Sequence, residues 1–316
     1  MRRPTAPIPR SAVRRAAVVL IALLAGLVVM APPAGAQGLA PYPLNVIVGS
    51  ASGAVTSGPG CSSGPLTETR RLTGSTSLSA GFFSGLPSQL GIDLPFRVGG
   101  TQAALDAADA RVTLTNARGT LTLALQSGSC AAPGLSYNGT AVFGSGTWTV
   151  VPDATTTNAY RGAMGSGTFS IPAANVTVGT GKPWQLALSG SVTVLQPQLA
   201  VTHRTFWGGP FNYLSRTLSV EYRIRNNGPG DAFGVVLNDA ATSSPGVTRI
   251  GPVPQAVGSV PAGSERSVVV RYRVCGIASI GCRFTADVQL TVADALDSGG
   301  PASFQRTVQV PITPVP

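Results

Sequence analysis

The chain has 316 residues, with 22 Lys and Arg against 12 Asp and Glu and a single His. Charged residues are 11% of the total, far below the roughly 25% of an ordinary globular domain, and 39 Gly with 26 Pro disfavour long helices, because these are the two worst residues for a helix interior. One imidazole and few carboxylates leave acid–base chemistry short of material. The formal charge of +10 does not mark a nucleic-acid binder either, since half of it sits in Arg2, Arg3, Arg10, Arg14 and Arg15, ahead of the first acid.

After those arginines comes the apolar run Ala16 to Ala31, then Pro32-Pro33 and the small residues Ala34-Gly35-Ala36. A basic start, a short apolar stretch and a small-x-small site predict a secretory signal peptide over residues 1–36, cut between Ala36 and Gln37. The Arg14-Arg15 pair leaves the twin-arginine route open beside the general one. The run is slightly short for a hydrocarbon core of about 30 Å, and no Cys follows it to carry a lipid. The expectation is a secreted protein, in the medium, at the cell surface or in the periplasm, with no membrane insertion after cleavage.

All four cysteines, Cys61, Cys130, Cys275 and Cys282, fall in the remaining chain. An even number in an exported chain reads as two bridges, with three pairings open. Cys61–Cys130 and Cys275–Cys282 are favoured, because each then stays within one proposed domain. Loop-closure entropy assigns roughly 4 kcal/mol to the long loop and about 2.5 kcal/mol to the short one. A zinc site is disfavoured: no Cys-x-x-Cys occurs and His203 is the sole imidazole. No metal and no cofactor are expected.

Composition changes near Leu195-Gln196-Pro197, with Pro197 as a reasonable hinge. This divides the chain into a Gly/Ser/Thr-rich domain over 37–197 and a Val-rich one over 198–316. In the first, Thr101 to Ala110 (TQAALDAADA) predicts the one helix, with Thr101 as N-cap. Arg111 to Thr115 and Gly119 to Leu125 flank Asn116-Ala-Arg-Gly and predict a hairpin. Trp184, Leu186 and Leu188 alternate with polar or small residues, and Val192 and Val194 continue that face, as in a half-buried strand.

Gly144-Ser-Gly-Thr-Trp148-Thr-Val recurs as Gly165-Ser-Gly-Thr-Phe169-Ser-Ile. Glycines beside a strand permit the bends that closed barrels need. With the intervening Asn158-Ala-Tyr160-Arg-Gly, residues 140–195 resemble the small antiparallel barrels of the dirigent and allene oxide cyclase type. That resemblance implies a barrel and transfers no catalytic residue.

In the second domain Leu218, Val220, Tyr222 and Ile224 alternate with Ser219, Glu221, Arg223 and Arg225. The turn Asn226-Asn227-Gly228-Pro229-Gly230-Asp231 follows, then Val235-Val-Leu237-Asn-Asp239, and later Pro261-Ala-Gly263-Ser264 leads into Val268, Val270, Tyr272 and Val274. Short strands separated by Gly/Pro turns read as a β-sandwich. The stretch Tyr222 to Asp239 resembles the immunoglobulin-like conserved repeat of bacterial surface proteins, and Pro261 to Val270 the turn and strand of the related cell-adhesion domain, over about 198–314. The family's Asp-x-Leu-Pro is stretched here into Asp239-Ala-Ala-Thr-Ser-Ser-Pro245-Gly246, and there is a single copy. The expected fold class is therefore all-β: an antiparallel barrel or sandwich, then an immunoglobulin-like sandwich.

Candidate sites are few. Gly60-Cys61-Ser62-Ser63-Gly64 fits the nucleophile-elbow spelling but lies among Gly and Pro, with its serine beside a bridge cysteine. His203 reads as a strand-edge residue, and Asp294-Ala-Leu-Asp297-Ser-Gly-Gly300 as a turn rather than a calcium loop. Two features carry functional weight. Phe206, Trp207, Phe211 and Tyr213 surround a Gly-Gly-Pro and would either stack on sugars or be buried, packed against the first domain or plugging the end of the sandwich. Arg223, Arg225, Arg271 and Arg273 would point outward and, on neighbouring strands, form one basic face that invites an anionic partner.

The leading expectation is a non-enzymatic surface or extracellular protein acting in adhesion or envelope association. Its partner would be a cell-envelope polysaccharide or another surface protein, not nucleic acid. A carbohydrate-binding protein using the aromatic loop and a cyclase- or isomerase-type barrel enzyme in 37–197 are the alternatives.

Overall fold

A computed structural model describes residues 41–79, 82–83, 86–274 and 283–312. The signal segment 1–36 and the Cys275–Cys282 pairing lie outside the described residues. The protein is all-β, and residues from Leu39 onward form one compact unit.

Ten strands build the first module: β1 (Tyr42–Pro59), β2 (Glu68–Leu78), β3 (Ser88–Gly99), β4 (Gln102–Leu105), β5 (Arg111–Asn116), β6 (Gly119–Gln126), β7 (Leu135–Tyr137), β8 (Ala141–Val150), β9 (Met164–Asn175) and β10 (Gly179–Thr193). The sheet runs β2-β1-β10-β9-β8-β6-β5-β3, and β3 pairs back onto β2. Eight strands thus close an antiparallel barrel, which decides between the barrel and the sandwich left open by the sequence. The short strands β4 and β7 form a second ribbon from β3 to β8. Cys61 and Cys130 are bridged, with a sequence separation of 69.

The expected hairpin is β5–β6, with Asn116 opposite Gly119. The expected helix over 101–110 is absent. Gln102–Leu105 is β4, paired with β3 and β7, and Asp106–Asp109 is a turn in which the Asp106 carboxylate accepts the Ala108 amide. Alanine favours a helix in isolation, but Ala103, Ala104 and Leu105 are all buried. Consecutive buried residues wedged between two strands let tertiary pairing override a weak local propensity.

Period-two alternation fills the barrel interior with apolar side chains, among them Leu44, Leu72, Phe96, Val112, Leu123, Trp148, Phe169 and Leu188. The repeated Gly-Ser-Gly-Thr-aromatic element acquires a specific meaning here. β8 and β9 are antiparallel neighbours, and the register places Trp148 opposite Gly167 and Phe169 opposite Gly146. Each aromatic lies across the other copy's glycine. A Cβ on Gly167 would come within 2.6 Å of the Trp148 ring, and one on Gly190 within 2.5 Å. The indole N–H reaches back to the Thr168 and Ser189 carbonyls at 3.1 and 3.2 Å.

The second module comprises β11 (Leu199–Phe206), helix α1 (Pro210–Leu214), β12 (Thr217–Asn226), β13 (Ala232–Thr242), β14 (Val247–Arg249), β15 (Gln255–Val260), β16 (Glu265–Val274), β17 (Arg283–Ala293) and β18 (Pro301–Gln309). Two four-stranded sheets, β11-β12-β16-β14 and β15-β13-β17-β18, share one core. Leu218, Val220, Tyr222 and Ile224 face inward, as their alternation requires, and so do Val268, Val270, Tyr272 and Val274. Tyr272 donates to the Ala240 carbonyl at 2.8 Å, so Tyr222 donates to the Tyr272 hydroxyl, also at 2.8 Å. Burial pushes the Tyr272 pKa up to about 12 and raises that of Tyr222 as well.

The modules are locked at two places. Asn226, fully buried, holds the linker: its side-chain oxygen accepts the Gln198 and Gly228 amides, and its amide group donates to the Gly230 and Val260 carbonyls. Two further backbone bonds, Asn227 to Gln198 and Gly230 to Gln196, lay the linker along the turn. The expected hinge at Pro197 is therefore pinned, and Asn226-Asn227-Gly228-Pro229-Gly230 is a joint. At the second place, the β17–β18 loop sends Ala295 and Leu296 into the barrel's core, beside Phe82, Phe83 and Tyr160. Tyr160 accepts from Asn116 Nδ2 at 2.7 Å and donates to the Ala295 carbonyl at 3.0 Å. Arg118 pairs with Asp297 at 2.8 Å and sits 4.6 Å from the centre of the Phe233 ring.

Candidate interaction surface

The outer face of the β11–β12–β16 sheet carries the charge. β12 and β16 are neighbours, which brings Arg223, Arg225, Arg271 and Arg273 onto one surface. Their register removes the repulsion expected of opposed arginines: Arg223 faces Ser267, Arg225 faces Glu265, Arg271 faces Ser219 and Arg273 faces Thr217. β11 adds Arg204, opposite Glu221. Five successive outward rows therefore hold one arginine each: Arg273, Arg271, Arg204, Arg223, Arg225. Rows on one face recur every two residues, about 7 Å apart. Of the five, only Arg223 is in an ion pair among the described residues, with Glu221 at 3.1 Å.

Sequence reasoning missed Arg204. The signal was present in the alternation of Thr202, Arg204 and Phe206 with inward Val201, but only the pairing of β11 with β12 places that strand on the same surface.

The aromatic loop divides. Trp207 is buried, donates to the Pro311 carbonyl at 3.3 Å and packs edge-on against Tyr213 with ring centroids 5.2 Å apart. Its faces are not offered to a sugar, so of the two roles open to this loop the structure gives Trp207 the plug. Phe206 and Tyr213 are half-buried, under Arg204 and Arg216 respectively. Phe211 alone of the four is open, at 84% exposure.

The remaining candidates resolve as architecture. Gly60–Gly64 is a loop joining β1 to β2, with no helix after it and Cys61 in its bridge. His203 lies on β11 opposite Tyr222, in the other module, and burial together with the nearby Arg306 charge pushes its pKa down. Asp294 caps its own turn, accepting the Leu296 and Ser298 amides and the Ser298 hydroxyl, and no cluster of three metal-ligating side chains occurs among the described residues. A cleft of about 420 Å³ opens at the joint between the modules, where the ionisable side chains are Arg161 and Asp231. Asp231 is engaged by the Ala262 amide at 2.9 Å.

The barrel's wall differs in kind. Outward positions of β8, β9 and β10 form a grid of hydroxyls, with Ser145 beside Ser170, Thr168 between Thr147 and Ser189, and Ser166 between Thr149 and Ser191. No helix among the described residues is long and apolar enough to cross a membrane. No protein-family model matches the chain, and no curated protein or solved structure matches it either.

Proposed function

We propose that this is a non-enzymatic, exported protein that associates with the cell envelope, its second module binding an anionic envelope polymer along the arginine ladder. The observation that carries this reading is the ladder itself: five guanidiniums in five consecutive rows, staggered across three strands with a single ion pair among them. A row spacing of about 7 Å suits a chain whose negative charges recur along its length. The Cys61–Cys130 bridge supports an oxidising compartment, in keeping with the signal segment read from residues 1–36. The strand orders β11-β12-β16-β14 and β15-β13-β17-β18 support the immunoglobulin-like, adhesion-related reading of this module.

The test is retention of the mature chain on purified anionic wall polymer over a salt gradient. Arg223→Glu with Arg225→Glu is expected to weaken retention at least about tenfold, because screened charge pairs dominate such contacts. Retention that ignores both salt and the double substitution would refute the reading. Fractionation of medium, envelope and cytoplasm checks export directly.

A further inference from the structure

β12 begins at Thr217, beside α1, and ends at Asn226, in the joint with the barrel. The loop 207–216 therefore stands at the end of the second module that points away from the barrel. Several contacts hold it. Gly208 and Gly209 take left-handed φ values of 63° and 118°, Pro210 opens the single turn of α1, and Asn212 Nδ2 donates to the Gly208 carbonyl. Trp207 and Tyr213 fix the loop from below.

This fixed loop presents Phe211 and Leu214, 84% and 74% exposed. They are three residues apart on one helical turn and so share a face. Ile312, 67% exposed, follows Pro311, whose carbonyl Trp207 holds. Large apolar side chains held outward on a structured tip mark a contact surface. A basic collar lies at the same end of the module: Arg273 and Arg271 occupy the two ladder rows nearest the tip and Arg204 the third, Arg216 closes the loop, and Arg283 begins β17. On the arginine sheet the distal half holds one acid, Glu221, already paired with Arg223. On the facing sheet Asp239 is paired with Arg249, and Asp287 lies mid-strand opposite Gln305.

We propose that this tip is an interfacial anchor for an anionic lipid bilayer, Phe211 and Leu214 entering the acyl boundary while the collar meets the headgroups. Apolar side chains that enter the interface and arginines that meet anionic headgroups each add to such binding. The charge of the collar selects an anionic surface, and the apolar pair suits an acyl boundary. The site shares Arg204, Arg271 and Arg273 with the ladder, while Arg223 and Arg225, at the joint end, belong to the polymer face alone.

The experiment is co-sedimentation of the mature chain, from Gln37 onward and so containing the whole compact unit, with vesicles of phosphatidylcholine alone or of phosphatidylcholine with phosphatidylglycerol. The anionic vesicles are expected to bind it at least about tenfold more strongly, and Phe211→Asp with Leu214→Asp to abolish binding. Both side chains are exposed, so the variant's circular dichroism and melting temperature are expected to match the parent's. It is also expected to keep its retention on wall polymer, while Arg223→Glu with Arg225→Glu keeps vesicle binding. Absence of parent binding to either vesicle, or binding that the tip substitutions leave unchanged, overturns the proposal and leaves the polymer reading standing. A dimer that the tip substitutions dissociate, without vesicle binding, would instead assign the tip to a second copy of this chain and overturn the proposal as well.

Discussion

In the barrel every strand is paired on both sides, the interior is apolar, and the wall of β8, β9 and β10 shows hydroxyls to solvent. In the second module the sheets keep free edges, a tyrosine pair and Asn226 are buried in the fold, and one outer face carries arginines. A closed ring satisfies its own backbone and hides its edges, so its Gly-, Ser- and Thr-rich strands need no charge to prevent edge pairing. The open module uses polar groups to fix its joint and carries charge on one outer face. On the function proposed above, the barrel is the scaffold and the second module the recognising part.

The contrast breaks most sharply at a glycine. Gly190→Ala puts a Cβ within 2.5 Å of the Trp148 ring and of the Ser166 carbonyl oxygen. Overpacking of this kind is expected to cost about 3 kcal/mol, read as a lower urea midpoint. Ser189→Ala, one residue away on the outer wall, is expected to stay within about 0.5 kcal/mol. Equal effects would mean that the interior is not packed around the indole.

Asn226→Ala tests the polar joint. It leaves the Gln198 and Gly228 amides and the Gly230 and Val260 carbonyls without their partner. A loss of about 2 kcal/mol is expected, with new proteolytic cleavage near residues 195–198 while the barrel stays protected. Cleavage throughout the chain would show that the two modules melt together.

Tyr160→Phe is expected to cost less at neutral pH than Gly190→Ala or Asn226→Ala, about 1 kcal/mol from the lost bond to Ala295. Its larger signature is alkaline. Burial pushes the Tyr160 pKa up to about 12, whereas in the unfolded chain it ionises near about 10. The unfolded state therefore releases its proton first. The stability this group contributes is intact below about pH 10 and is lost as pH rises through about 12. The phenylalanine variant is expected to shed that part of the alkaline decline and retain the part due to Tyr222 and Tyr272. Identical stability-against-pH curves for parent and variant would refute the burial of this hydroxyl at the joint.

Much of this was legible in the chain. Alternation located β10, β12 and β16, the Asn116-Ala-Arg-Gly turn located the β5–β6 hairpin, and the Gly-Ser-Gly echo pointed towards a barrel while a sandwich stayed open. The same reasoning misread Thr101 to Ala110, where a run of small residues carries helix propensity and no alternation to contradict it. Phe82-Phe83 and Ala295-Leu296 went unnoticed as plugs, because a pair of apolar residues in a polar loop has no period to detect. The arginine face was half visible: which residues point outward follows from period two, but the stagger that separates them follows from register.

By itself, the sequence determined the strand content and the inward face of most strands, because each is a local matter of side-chain alternation, and it favoured the Cys61–Cys130 bridge among three open pairings. Only the tertiary structure decided that β3 returns to β2, that each aromatic of the repeat covers the other's glycine, and that a loop of one module seals the other. These are contacts between segments far apart in the chain, and their energies depend on shape and register, which residue composition does not encode.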